Sequence, residues 1–160
     1  MYQFHKTVAT FECSVVTKKF DLVGHSVTTN FPDGFPEAAI QVQTELENRK
    51  DEIKHVKDKE ILISPHMCNE IFATYFACLE VKKMEDVPKG MIGFTLPVTR
   101  YAKISCSNQT IGEGYTKLVA WMNEKGYTEK RFYYSCPIEI YHNIESGSEE
   151  VVELLIPIEY

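Results

Sequence analysis

The stretch RFYYSCPIEIYHN, residues 131–143, sets one acid, Glu139, between two isoleucines in a run of apolar and aromatic side chains. A carboxylate without a partner is costly to bury, and in an apolar setting it would sooner raise its pKa by ~3–5 units than stay charged. Two chemistries have a use for such a group. Ringed by aromatic faces, it is a counter-charge for a bulky organic cation. The rings bring about 0.5–2 kcal/mol of cation–π attraction, and the charge brings roughly 4 kcal/mol at 4 Å in an effective dielectric near 20. With a raised pKa and tyrosines beside it, the same acid could orient a water or donate a proton.

Side chains alternate across a strand. Phe132, Tyr134, Cys136, Ile138 and Ile140 point one way, while Tyr133, Ser135, Pro137, Glu139 and Tyr141 point the other. The first set suits burial under helices. The second is aromatic and polar, so Glu139 belongs on the opposite sheet face beside Tyr133 and Tyr141. Alternation alone leaves that face either open to solvent or closed over a pocket.

Other candidate chemistry is thinner. His66 and Cys68 share a strand face and could ligate a soft metal, but no second pair has zinc-like spacing, so no metal or cofactor is expected. Cys136 faces away from Glu139, and no histidine is linked to it by sequence, which speaks against a Cys/His nucleophile. GEGYTK begins inside a helical pattern and lacks phosphate-loop spacing. His5, His25, His55 and His142 are scattered without a triad signature. The acid therefore has no evident second catalytic group, and an enzyme is the less favoured class.

The totals narrow the partners. A chain of 160 residues can bury roughly 68–70% of its unfolded surface as one domain. The net charge of −6 argues against direct nucleic-acid binding, which needs clustered Lys and Arg. The densest basic stretch, ENRKDEIKHVKDKE at 47–60, is interleaved with acids and reads as a solvated face. No apolar run approaches the ~18 residues of a membrane span, and the first residues lack the pattern of a secretory signal. The five cysteines are odd in number and irregularly spaced, which fits reduced thiols and a cytoplasmic location.

Positioning falls to two helices and several strands. Residues 36–57 open with Pro36 and Glu37 and carry Ala39, Val42, Leu46, Ile53 and Val56 near helical spacing, interrupted at Arg49 and Lys50. Residues 109–125 carry Ile111, Tyr115, Leu118, Val119 and Met122 in one stripe, with Thr110 and Glu113 as a capping box and Gly126 as the stop. Strands are expected at 20–31, 60–67, 70–81, 91–106, 131–143 and 151–160. The order is strand, helix, strand, strand, then the same again, which predicts an α+β fold with helices packed on one face of an antiparallel sheet. Residues 1–17 would form an extension or an extra edge strand, and a sheet edge or this arm could pair two chains.

Several segments match a known pattern in order: FDLVGHSV, TYFACLEV, VPKGMIGFTLPVTRYAKI, LVAWMNEKGYT, PIEIY and VVELLIPIEY. Over about residues 18–160 the chain resembles the GyrI-like effector-binding family, bacterial domains similar to the C-terminal ligand domains of AraC-type and MerR-type regulators, multidrug-sensing ones included. The resemblance implies a single domain of duplicated β-α-β-β units, about 18–85 and 88–160, with pseudo-twofold symmetry and a pocket between the halves; with the helices on one sheet face, the ligand pocket is expected on the other. It also implies that Glu139 sits in that pocket and meets lipophilic, cationic aromatic molecules, with Tyr141 as part of the same motif. Tyr75, Tyr101 and Trp121 match aromatic positions of the pattern, Trp121 serving either the pocket or the helix–sheet core. Tyr75 shares its strand face with Ala73, Ala77 and Leu79, while Phe72 and Phe76 face the core. Family members fused to transcription factors carry a helix-turn-helix, for which the residues ahead of position 18 are too few. The expectation is a stand-alone ligand-binding protein without a DNA-binding domain. The alternatives are a GyrI-like hydrolase of strained-ring compounds and a gyrase-directed inhibitor.

Overall fold

The computed structural model describes residues 11–131, 135–142 and 150–159. Among them, six strands and two helices alternate as β1 (Cys13–Asn30), α1 (Glu37–Arg49), β2 (Ile61–Cys68), β3 (Phe72–Glu80), β4 (Ile92–Ser107), α2 (Ile111–Lys125), β5 (Ile138–His142) and β6 (Val151–Pro157). This is the α+β class with two β-α-β-β units. All strand pairs are antiparallel.

The sheet closes into a barrel in the order β1-β3-β2-β5-β6-β4, which reads the same from either unit. Closure depends on two long strands. β1 pairs with β4 over its first part and with β3 over its second, and its register slips between Lys18 and Phe20. β4 likewise hands over from β1 to β6. A bulge bends a strand and increases its twist, which is what a closing sheet needs.

Alternation then sorts the side chains. Phe20, Leu22, Ile63, Cys78, Tyr101, Ile138, Ile140 and Leu155 come from all six strands and form one buried cluster with no helical member, the barrel interior. Burial of each large apolar side chain is worth about 1.5–3 kcal/mol before entropy is counted. The outer face carries the helices. Val42 and Leu46 of α1 pack on Val23, Ala77 and Leu79. Leu118 and Met122 of α2 pack on Ala102, Ile104, Val152 and Leu154.

This closure corrects one detail of the expected architecture. Ile138 and Ile140 do not lie under helices; they fill the barrel. With the inner face consumed by core packing, helices and any pocket must share the outer face.

Two local expectations also shift. The first helix stops at Arg49 and a 3-10 turn, Lys50–Glu52, follows. Arg49 folds back onto Glu52 at 2.9 and 2.8 Å and onto the Lys89 carbonyl at 2.9 Å, which draws the chain away from the helix axis. His55 then takes a positive φ of 63°, and Val56 bridges to Val81. Thr110 precedes α2, but its hydroxyl accepts from the Ser107 N–H at 3.0 Å, and the capping box does not form. Gly126 does end the helix, at φ 80°. No helix among the described residues is long and apolar enough to cross a membrane.

Candidate ligand-binding site

Helix α1 lies on β1 and β3, and α2 lies on β4 and β6. The middle strands β2 and β5 are left between them. They pair with Leu62 opposite Tyr141 and Ser64 opposite Glu139, while His66 and Cys68 of β2 stand opposite Tyr75 and Ala73 of β3. All of these point outward by alternation. A cavity of about 830 Å³ stands over them, walled by Phe35, Ala39 and Gln43 on the α1 side and by Ile111 and Tyr115 of α2.

Glu139 sits at its floor. The Tyr115 hydroxyl donates to one carboxylate oxygen at 2.8 Å, and the Tyr141 hydroxyl donates to the other at 2.5 Å. Gln43 donates from its amide to the Tyr75 hydroxyl at 2.8 Å. Burial raises the pKa of both Tyr115 and Tyr141, and the negative charge of Glu139 raises it further, so both stay neutral hydrogen-bond donors. Burial also raises that of Tyr75. Among the described residues, those lining the cavity include no lysine and no arginine.

The walls are aromatic. Phe31, Phe35 and Tyr75 form an edge-on series with centroids 6.1 and 6.3 Å apart, running from the exposed mouth to the buried floor. His66 stands edge-on to Tyr115 at 6.5 Å. Offset and edge-on pairs are the preferred aromatic geometry.

How α2 comes so close is set by Gly114, the residue before Tyr115. A Cβ there would lie 2.9 Å from the Cys106 sulfur and 3.0 Å from a Leu154 methyl. A side chain there would have to displace the Cys106 sulfur and the Leu154 methyl, so glycine favours this depth, at which Tyr115 reaches Glu139.

Of the residues expected to gather, the structure brings together Glu139, Tyr141 and Tyr75. Tyr133 lies outside the described residues. Tyr101 is not in the cavity: its position on β4 points into the barrel, where it is fully buried and meets Phe20 edge-on at 6.2 Å. Trp121 is also outside it. It sits against the α2 core and packs on Tyr127 at 5.5 Å. Phe76 is in the barrel against Phe94 at 5.1 Å, whereas Phe72 is exposed. Tyr115, Gln43, Phe35 and His66 were not anticipated as site residues. A hydroxyl in the otherwise aliphatic stripe of α2 was the one signal for Tyr115. Among the described residues no cluster of metal-ligating side chains occurs.

The barrel with its two outer helices is a GyrI-like effector-binding fold. SAV2435, solved with tetraphenylphosphonium bound, superposes with a TM-score of 0.71 at 12% identity, covering 92% of this chain and 94% of that one. An integron cassette protein from the mobile metagenome of Vibrio cholerae gives 0.64 at 12% identity, covering 92% and 95%. EcmrR in its complex with DNA gives 0.69 at 12% identity, covering 92% of this chain but 57% of that chain. A search of curated protein sequences gives no significant match. The sequence pattern of the Cass2 family, integron-associated effector binding protein, matches residues 13–158, and the chain belongs to that family. It is an effector-binding protein by family, and its fold is shared with EcmrR, which was solved in complex with DNA.

Proposed function

We propose that the chain binds lipophilic, cationic aromatic small molecules in this cavity, with Glu139 as the counter-charge. The observation that carries the reading is the company Glu139 keeps: two neutral tyrosine donors and no lysine or arginine among the described lining residues. The acid is held without being neutralised, so its field is left for a ligand. Phe31, Phe35, Tyr75, Tyr115 and Tyr141 supply the aromatic area that a delocalised cation needs. That SAV2435, with the same fold, was solved with a lipophilic cation supports the choice of ligand class.

Calorimetric titration with tetraphenylphosphonium and tetraphenylborate tests it. The two ions match in shape and differ in the sign of charge. The phosphonium is expected to bind with a Kd on the order of micromolar, and the borate at least roughly thirtyfold more weakly. Equal affinities, or a preference for the borate, would remove the counter-ion role. Gain of a water by a bound compound, seen by mass spectrometry, would move the site towards hydrolysis.

A further inference from the structure

The cavity floor does not end at Tyr141. A smaller cleft of about 210 Å³ lies between the later part of α1 and the start of β2, and Gln43 and Tyr141 line both spaces. These two side chains form the partition between an apolar chamber and a polar one. Each is held to its own partner, Gln43 to Tyr75 and Tyr141 to Glu139.

The polar cleft has its own chemistry. Its lysines are already engaged, Lys50 with Glu47 at 3.1 Å and Lys59 with Asp51 at 2.7 Å. Glu150 is different. It lines the cleft, it is partly buried, and among the described residues no lysine or arginine pairs with it. Its backbone is clamped by Asn108, whose side-chain carbonyl accepts from the Glu150 N–H at 3.1 Å and whose own N–H donates to the Glu150 carbonyl at 3.0 Å. Burial raises its carboxyl pKa, and the charge that pulls it back is that of His142, whose ring nitrogen lies 3.0 Å from Glu153. Glu139 stands opposite Leu154, four residues along from Glu150, a separation of roughly 13 Å at strand rise.

The two acids ask for different cations. Both Glu139 oxygens already accept a hydrogen bond from a tyrosine hydroxyl, which suits a delocalised or quaternary centre that has no N–H to give. The Glu150 carboxylate makes no such bond among the described residues, and a protonated amine would supply one. We propose that the site is two-chambered. Its ligands carry an aromatic cation at Glu139 and a primary or secondary ammonium on a flexible tail that passes Tyr141 and Gln43 to reach Glu150. This rests on the cation reading of the main cavity.

The test titrates hexyl-, aminohexyl- and aminoethyl-triphenylphosphonium into the wild-type protein, Glu150→Gln and Glu139→Gln. The expected result is that the aminohexyl compound binds the wild type roughly three- to tenfold more tightly than the hexyl compound. In Glu150→Gln that ratio falls to about one. The aminoethyl tail, too short to cross the partition, should bring no comparable gain. A ratio near one in the wild type overturns the proposal, as does a gain that survives in Glu150→Gln or one that the short tail reproduces. If the hexyl compound itself shows no binding that depends on Glu139, the cation reading fails and the two-chamber reading falls with it.

Discussion

Replacing Glu139 by glutamine removes one charge and keeps the shape. The central charge of a triaryl cation is held off by its own rings, so its distance from the carboxylate is set at about 5–6 Å. At an effective dielectric near 20 that is worth about 3 kcal/mol. The cavity mouth is open, with Phe31 38% exposed, and water there reduces the attraction to ~1.5–3 kcal/mol. Methyltriphenylphosphonium should therefore lose roughly ten- to a hundredfold in affinity. Triphenylphosphine oxide, similar in shape and neutral, should change by less than about threefold. Folding should survive, because the glutamine amide can accept from one tyrosine hydroxyl and donate to the other. A stability change within ~1 kcal/mol is expected. Calorimetric titration of both compounds, with a thermal melt of the variant, decides the matter. Equal losses for the two compounds would mean that Glu139 shapes the cavity without serving as its counter-charge.

Three further perturbations probe the frame around the site. His142 and Lys103 lie 3.0 Å from Glu153 and hold its carboxyl at about 2, against an ordinary 4.5. A folded pKa below the unfolded one contributes stability above about pH 4.5, and that stability is lost as pH falls towards 2. The full difference would be ~3.4 kcal/mol, which partial solvent access cuts to ~1–2; Glu153→Gln should flatten this acid limb in chemical denaturation. Gly114→Ala should cost ~1–3 kcal/mol by overpacking against Cys106 and Leu154 and should weaken cation binding as Tyr115 withdraws, so a variant as stable and as tight-binding as wild type would refute the close-packing account. The Tyr101 hydroxyl is buried in the barrel and, among the described residues, meets no hydrogen-bond partner at good geometry, the nearby Thr99 hydroxyl being given to the Pro97 carbonyl, so Tyr101→Phe should leave stability unchanged or raise it by up to ~1 kcal/mol; a loss of ligand affinity would return this residue to the site.

The repeat of strand and helix was readable in the sequence because its signals are local. Pro36, Gly126 and the period-two runs each mark an element within a few residues. The division of Ile138 and Ile140 from Glu139 and Tyr141 was readable for the same reason. What alternation cannot say is which of two faces a helix covers. That depends on β1 and β4 each changing partner midway, a long-range event that no window of sequence contains. Once the sheet closes, the isoleucine face becomes a barrel core, and the face with the acid becomes the one between the helices. Tyr101 went astray by the same mechanism, since its position on β4 points into the barrel. Tyr115 was missed for another reason. Its place in an i, i+4 stripe is that of a core residue, and it is one over most of its ring. Its hydroxyl and the part of the ring that faces the cavity belong to the site.

On the proposed cation reading, the choice of tyrosine to hold Glu139 follows from what the site must keep. An arginine or lysine at the Tyr115 or Tyr141 position would stabilise the carboxylate more strongly, but it would cancel the charge that a cationic ligand has to meet. Water alone would leave the acid solvated, and a ligand would have to strip that shell away. Tyrosine hydroxyls give one strong hydrogen bond to each oxygen, add no charge, and bring ring faces for the ligand to lie against. Their raised pKa values keep them protonated donors across any working pH. The carboxylate is thus stabilised by directional bonds already in place, while its long-range field stays available. Selection in the main cavity then rests on charge and aromatic area, with little demand on where a ligand carries its polar atoms. Any finer discrimination has to come from groups that still have hydrogen bonds to offer, which on this floor are Ser64 and His66 beside Glu139 and, past Tyr141, Glu150.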